Sequence, residues 1–297
     1  MKERIKKAAS SKVVVTLVWL FGIAAIWEVM AMRVAETKRT PANILPHIGD
    51  IVKSIFDAKM VSNNMTAVQL VLSNASDTLL RAFWGFLIGA IVGFLLAILM
   101  KLSKIVEKTI FPYLMLIQMI PILGMAPIIL AMTHDIGASR IIIAAILTFY
   151  PIATNTLAGL NSVQKEKYEL MYSYSASKWT IYRKMLIPAC IPYLFTGLKI
   201  SAPMAITASI LVDTLQGDGG LGCILSQSLK HAMSIYVFWQ IVLFSAAVGI
   251  LSCTLMGWIE KIVSPMKRIE RKQNSIFARR KEAQYEKEKE KSLATGE

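Results

Sequence analysis

The sequence predicts an all-α membrane protein with six transmembrane helices. Of its 297 residues, 55% are hydrophobic and 18% are charged. The mean hydropathy of +0.53 is too high for an ordinary soluble domain of this size. A helix that crosses the hydrocarbon core of a bilayer needs about 20 predominantly apolar residues. The stretches that meet this length are Val13–Met32, Leu79–Met100, Ile105–Met132, Ser139–Leu160, Ile191–Leu215 and Val237–Ile262.

The first apolar stretch is interpreted as a membrane anchor and not as a cleaved signal peptide. It is long for a signal sequence, and it holds Trp27 and Glu28 where a cleavage site would need small residues. The polar segment that follows, Arg33–Ser76, contains an amphipathic run at Ile48–Ala58. This segment is therefore predicted to be an extramembrane loop with one surface helix.

Basic residues indicate which side of the membrane each connection occupies. The connections Lys101–Lys108 and Lys165–Lys184 are rich in Lys and Arg, whereas His134–Arg140 and Gln216–Ser234 have one such residue each. Because cytoplasmic loops carry the excess of Lys and Arg, both termini are predicted to be cytoplasmic. The first loop argues against this orientation, since it carries five basic residues, although three acidic residues offset them.

The net charge of +14 does not indicate a nucleic-acid partner. The basic residues lie at the ends of the apolar stretches and at the two termini, where contact with anionic membrane lipid accounts for them. After Pro265 the composition becomes highly charged, and a solvated tail is predicted there.

The sequence lacks the motifs of an enzyme. It contains no Gly-x-x-x-x-Gly-Lys-Ser/Thr phosphate loop, so ATP hydrolysis by that route would need a separate subunit. Cys190, Cys223 and Cys253 are far apart and form no zinc-ligand or redox spacing. We therefore expect no catalytic residues, no metal and no cofactor in this chain.

The stretch KYELMYSYSASKWTIYRKMLIPACIP connects the fourth and fifth apolar stretches. Its residues at helical spacing are Leu170, Tyr174, Ser177, Ile181 and Met185. They predict a short amphipathic helix, which Pro188 is expected to stop before the chain re-enters the membrane. From the residues alone, a helix that docks on a partner and a helix that lies on the lipid surface are both open.

The same stretch resembles the EAA motif of binding-protein-dependent ABC importer permeases, in their nitrate, sulfonate and taurine branch. In that motif Gly follows the Glu by six residues and Pro follows it by nineteen, and here Ser175 and Pro188 stand at those distances from Glu169. Leu-Met replaces the two alanines, and the turn at Ser175 must form without glycine's freedom at positive φ. The resemblance implies a coupling helix over Glu169–Lys184 that transmits motion from a separate ATPase. Its expected residues are Glu169, Ser175, Ala176, Ser177, Lys178, Trp179, Arg183 and Pro188.

The resemblance also implies an architecture and a set of partners. A fold like that of a type I ABC importer permease would have a cytoplasmic basic segment over 1–12, a transmembrane permease domain over 13–264 with its coupling loop at 161–190, and a charged cytoplasmic tail over 265–297. The chain would work in the cell (inner) membrane as a homodimer, with cytoplasmic ATP-binding subunits and an extracytoplasmic solute-binding protein.

The implied substrate is a small organic solute, either sulfonate-like or taurine-like, or a pyrimidine or vitamin precursor. The stretches expected to line the path are mostly apolar with few cations, which argues against a small inorganic anion. The alternative from another class is a secondary transporter driven by an ion gradient. That alternative predicts inverted repeats and ionisable residues at the membrane midplane, whereas the ionisable residues here cluster near the predicted helix ends.

Four residues are candidates for the pathway or gate: Gln118, Pro121, Asn155 and Asp213. The prolines of the third stretch predict irregular backbone, which is tolerated in a membrane where protein or a watery cavity covers it. For Gln118 and Asn155, a packing role through interhelical hydrogen bonds is also open. Asp213 is either a functional carboxylate or an interfacial residue in contact with water. Lys199, in the same stretch as Asp213, lies two turns from its cytoplasmic end and can snorkel outward.

Overall fold

A computed structural model describes residues 12–38, 40–57, 59–62, 65–216, 219–231 and 235–264. The predicted tail over 265–297 and nearly all of the predicted basic segment over 1–12 lie outside the described residues. The helices, in chain order, are α1 (Lys12–Thr37), α2 (Pro41–Ile44), α3 (Ile48–Phe56), α4 (Ala67–Leu102), α5 (Lys104–Met119), α6 (Ala126–Thr133), α7 (Ile136–Asn161), α8 (Lys165–Ser173), α9 (Lys178–Ile181), α10 (Ile187–Gln216), α11 (Leu221–His231) and α12 (Ile235–Val263). Two short strands, β1 (Met60–Ser62) and β2 (Met65–Thr66), pair antiparallel before α4.

Five helical runs among the described residues are long and apolar enough to cross a membrane. They are α1 from Val14, α4, α7, the run from Lys178 to Leu215, and α12. About half of the most apolar window of α7 and of the Lys178–Leu215 run is buried, against 6% for α1 and α12. Thus α7 and the run that contains α10 supply the interior, while α1 and α12 leave most of their apolar surface for lipid or another chain.

The prediction of one helix over Ile105–Met132 is wrong. Helix α5 ends at Met119, a 3₁₀ turn occupies Ile122–Met125, and α6 follows. The break lies where Pro121 excludes the helical conformation from the preceding residue, and Ile120 is extended with φ −69° and ψ 133°. The irregular backbone expected from the prolines of this stretch is therefore present, and it divides the stretch.

The loop before α4 is shorter than predicted. The predicted surface helix is present as α3, but α4 begins at Ala67, twelve residues before the expected Leu79. Its 36 residues span about 54 Å at about 1.5 Å per residue, well beyond the roughly 30 Å hydrocarbon core. The segment read as polar loop therefore contributes the first turns of a spanning helix.

Residue contacts divide the described part of the chain into two compact units, one within 1–80 and 210–246 and the other within 81–209 and 247–297. In the first unit, the segment around α3 is fastened to two long helices. The Trp27 indole N–H donates to the Pro46 carbonyl at 3.1 Å, and the Gln240 side-chain amide donates to the Ser54 carbonyl at 3.0 Å. The rings of Trp27 and Trp239 meet edge to face with centroids 4.8 Å apart. These contacts hold α3 onto α1 and α12.

The second unit is built on close packing of α4 against α7. A Cβ added at Gly85, Gly89 or Gly93 would collide with α7, where Ala144 and Thr148 are among the atoms met. The glycine stripe therefore brings these two helices together within the chain. The buried cluster beside it comprises Ala97, Met100, Leu114, Phe149, Ala153, Leu157, Leu160, Ile181, Leu186 and Cys190.

Lys199, which could snorkel outward by its position in the sequence, has a carboxylate partner inside the protein. Its ammonium forms an ion pair with Glu260 on α12, and the Glu260 side chain is only 4% exposed. An ammonium in low dielectric gains more from a nearby carboxylate than from a partial reach to water. The pair therefore ties α10 to α12 in the second unit.

Candidate coupling segment and pathway residues

Helix α8 ends in a Schellman motif, the backbone turn that most often uses glycine. The Ala176 N–H donates to the Met171 carbonyl at 3.1 Å, and the Ser175 N–H donates to the Tyr172 carbonyl at 2.8 Å. These are the two hydrogen bonds that define the motif, and they place Ser175 at its left-handed position. Ser175 has φ 51°. The residue that stands in place of the motif's Gly thus adopts the conformation that glycine would adopt without steric cost.

A second turn begins immediately afterwards, because Ser177 caps α9. Its side-chain oxygen accepts a hydrogen bond from the Thr180 backbone N–H at 3.3 Å, the expected contact of an N-cap serine. The single helix predicted over Glu169–Lys184 is therefore wrong, whereas the turn expected at Ser175 without glycine is present. The segment is two short helices joined at Ser175 and Ala176, because the left-handed residue ends one helix and the serine starts the next.

The prediction that Pro188 stops the helix is wrong. After α9 the backbone widens into a π turn over Tyr182–Leu186, where the Ile187 N–H donates to the Tyr182 carbonyl, and α10 follows without interruption. A proline lacks the N–H of a regular turn and its ring crowds the carbonyl four residues earlier. The wider turn immediately before Pro188 relieves that crowding, so the helix passes into the spanning segment.

The segment between α7 and α10 is anchored on one side and exposed on the other. Ile181 and Leu186 are 3% and 1% exposed within the buried cluster, and Ala176 packs against the same cluster. In contrast, Tyr174 is 78% exposed and Trp179 is 72% exposed. Large aromatic side chains are thus exposed on a backbone that buried apolar side chains hold in place.

The charged residues of the segment are solvent-facing. Glu169 lies 3.7 Å from Lys165, with both side chains mostly exposed, a contact of little energetic weight. Lys178, Arg183 and Lys184 are exposed as well. Their charges remain available to a partner surface.

A polar network that was not predicted lies beside the segment. The Lys101 ammonium donates to the Asn161 side-chain carbonyl at 2.7 Å, and the Asn161 amide donates to Glu107 at 3.2 Å. Lys101 also lies 5.8 Å from the ring centroid of Tyr168. Burial raises the pKa of Tyr168 from its ordinary value, which favours the neutral hydroxyl. The residues come from four separate helices, and their spacing along the chain gives no signal of the contact.

The candidate pathway residues fall into two units. Gln118 is exposed on α5, and Pro121 is exposed at the break that follows. Asn155, half-buried on α7, donates its side-chain amide to the Pro151 carbonyl of the same helix at 2.7 Å. All three belong to the second unit and Asp213 to the first. Asn155 thus satisfies a carbonyl one turn before it on its own helix.

Asp213 is completely buried, so contact with water does not accommodate its carboxylate. The Thr78 hydroxyl donates to Asp213 Oδ2 at 2.7 Å and accepts the Leu221 N–H at 2.9 Å. A glycine at 220 is required here, because its φ is 84° and an added Cβ would collide with the carboxylate. The carboxylate thereby joins α4, α10 and the start of α11.

Among the described residues, no three His, Cys, Asp or Glu side chains are grouped so that they could hold a metal ion.

Long apolar helices joined by a polar, structured connection define a multi-pass membrane protein. Residues 85–269 match the family described as the binding-protein-dependent transport system inner membrane component, and the chain belongs to this family. It is the non-catalytic permease subunit of a binding-protein-dependent ABC importer, located in the inner membrane. The resemblance found in the sequence is confirmed. Membership of this family also decides against the secondary-transporter alternative.

Curated relatives cover most of the chain. It is 27% identical over 246 residues to the formylaminopyrimidine transport permease protein ThiX of Halalkalibacterium halodurans. The aligned region covers 83% of this chain and 93% of ThiX. It is 28% identical over 250 residues to the nitrate import permease protein NrtB of Synechococcus elongatus. The aligned region covers 82% of this chain and 87% of NrtB.

The fold is shared with a solved transporter. An inward-facing structure of the MetNI methionine ABC transporter matches with a TM-score of 0.55 and 21% identity, covering 65% of this chain and 96% of that chain. The all-helical permease fold is confirmed by this match.

Proposed function

We propose that two copies of this chain form the transmembrane path for a small organic solute, and that loop 161–190 couples the path to a cytoplasmic ATPase. The observation that carries the proposal is the construction of the segment. Two turns fix its backbone, and the buried side chains of Ile181 and Leu186 join it to the core. Trp179 and Tyr174 are exposed. A docking surface needs large side chains on pre-ordered backbone, because little entropy is then lost on binding.

The construction favours a protein partner over the lipid surface. A helix that lies in the interface presents one continuous apolar stripe. Here a turn at Ser175 separates two short helices, and charged Glu169 and Lys178 are exposed among the aromatic side chains. Such a mixed surface is typical of a protein contact with a polar rim.

The coupling role and the charge pattern together imply the orientation. The ATPase is cytoplasmic, so the segment and both termini would lie on that side, with the domain layout 1–12, 13–264 and 265–297. The segment around α3 would then face outward, where an extracytoplasmic solute-binding protein docks.

The substrate is proposed to be a sulfonate-like or taurine-like solute, or a pyrimidine or vitamin precursor. ThiX is named for a formylaminopyrimidine and NrtB for nitrate. Of the candidate pathway residues, Gln118, Pro121 and Asn155 are uncharged and Asp213 is acidic. Selection of an inorganic anion needs cationic groups along the path. This residue set therefore argues against an inorganic anion.

The test compares two exposed tryptophans. Trp179→Ala is expected to lower the amount of ATPase that copurifies with the permease, and the coupled uptake in vesicles, by tenfold or more, because a central aromatic anchor is lost. Trp258→Ala is the matched control, since Trp258 is 61% exposed on α12 and lies outside the segment. Glu169→Lys should act in the same direction as Trp179→Ala. Full copurification and uptake in both segment variants would contradict the proposed coupling role.

A further inference from the structure

A groove of about 650 Å³ lies between the end of α4, the start of α5 and the segment from α8 to the π turn. All of its lining residues belong to the second unit. The groove begins where the apolar sequence of a spanning helix ends, since Lys101 is in the last turn of α4. It therefore lies at the level where lipid headgroups meet the protein.

The lining of the groove is cationic. Lys101, Lys104 and Lys178 line it together with one carboxylate, Glu107, which gives a net charge of +2. A neighbouring hollow of about 400 Å³ shares Lys104 and Glu107 and adds Lys108. The Glu107 carboxylate accepts a hydrogen bond from the Asn161 side-chain amide. The lysines thus form a positive field that suits an anion.

The rest of the lining is apolar or aromatic, as a lipid requires. Ile98 and Leu102 extend the groove along the spanning helix, and Leu102 is 63% exposed. Tyr172 also lines it, and tyrosine rings are enriched at the headgroup level of membranes. A soluble phosphate would gain nothing from this apolar wall, whereas an acyl chain would cover it.

We propose that this groove binds the anionic headgroup of a membrane phospholipid. The phosphate lies among Lys101, Lys104 and Lys178, and the acyl chains run along Ile98 and Leu102. Basic pockets at the membrane-facing ends of helices bind anionic headgroups in this way. A bound lipid would connect the end of α4 to the segment that we propose couples to the ATPase, yet the binding itself needs no ATPase.

The experiment is native mass spectrometry of the purified permease in detergent, titrated with phosphatidylglycerol or phosphatidylcholine. Phosphatidylglycerol adducts should predominate and should weaken as salt is raised. Lys104→Gln is expected to reduce phosphatidylglycerol affinity about fivefold, the effect of removing one lysine near an anionic surface. Lys104→Arg should retain affinity. Lys167→Gln is the matched control, because Lys167 is exposed on α8 and does not line the groove.

Three outcomes would overturn the proposal. The first is equal loss of phosphatidylglycerol binding in Lys104→Gln and Lys167→Gln, or no loss in either. The second is full displacement of the lipid by an equal concentration of glycerol phosphate, which would make the ligand a soluble phosphate ester. The third is reduced ATPase copurification in Lys104→Gln with unchanged lipid adducts, which would make the groove a protein contact.

Discussion

Replacing Ser175 by glycine should stabilise the segment between α7 and α10. Ser175 holds φ 51° at the left-handed position of the Schellman motif. A side chain in that conformation costs about 1–2 kcal/mol, because Cβ approaches the following carbonyl oxygen. Glycine removes this cost but adds about 0.4–1 kcal/mol of conformational freedom to the unfolded chain. The net stabilisation expected for Ser175→Gly is about 0.5–1 kcal/mol.

Hydrogen–deuterium exchange measures this difference locally. The Ala176 amide is protected by its bond to the Met171 carbonyl, so its exchange reports opening of the turn. A gain of about 0.5–1 kcal/mol slows that exchange roughly two- to fivefold, since 1.4 kcal/mol corresponds to a factor of ten. ATPase copurification should be retained, because the turn keeps its geometry.

The matched control places glycine two residues earlier. Ser173 lies in the last turn of α8, where glycine costs about 0.5–1 kcal/mol relative to a helix-forming residue. Ser173→Gly should therefore accelerate exchange while Ser175→Gly slows it. Faster exchange at Ala176 in Ser175→Gly would refute the reasoning, because the left-handed backbone would then not be a source of strain.

Two further predictions concern buried charges. Gly220→Ala should destabilise the permease by about 2 kcal/mol or more, because the new Cβ collides with Asp213 at a positive φ. Gly219→Ala is the control, because Gly219 has φ 68° but open space around it. It should cost only the strain of a side chain at positive φ, about 1–2 kcal/mol. Equal melting temperatures for the two variants in detergent would contradict this, because they would show that the Asp213 carboxylate moves aside without energetic cost. Glu260→Gln should lower stability by about 2 kcal/mol or more, since the Lys199 ammonium loses its partner in low dielectric. The double variant with Lys199→Met should recover part of that loss, and a double variant less stable than Glu260→Gln alone would contradict the pairing argument.

The long helices could be predicted from the sequence because spanning length and apolar composition are local properties. Five of the six predicted stretches lie within long helices. The start of α4 was missed because Gln69 and the polar residues around Asn74 were read as loop, although a helix extending out of the membrane also carries such residues. Irregular backbone near Pro121 could be predicted, since proline restricts the conformation of the residue before it. Whether the break would divide the stretch depended on packing that the sequence does not reveal.

The candidate site was predictable only in its local part. The resemblance located the segment and the turn at Ser175, but the helical spacing from Leu170 to Met185 continues across that turn, so one helix was predicted where two exist. Contacts between distant residues left no trace in the pattern. Thr78 and Asp213 are 135 positions apart, and Lys199 and Glu260 are 61 apart. Such pairs follow from tertiary packing, which helical periodicity does not encode.

The π turn over Tyr182–Leu186 has a consequence for how the segment can vary. A π turn holds one residue more than an α-helical turn of the same span. Each residue of an α-helix rotates the chain by about 100°, so that extra residue sets the rotational phase between α9 and α10. Deleting one residue there would swing Trp179 about the helix axis by roughly a quarter turn, and the aromatic side chains would face a different direction. The direction of the exposed surface is thus encoded in the number of residues before Pro188, and this turn should tolerate substitutions far better than changes in length.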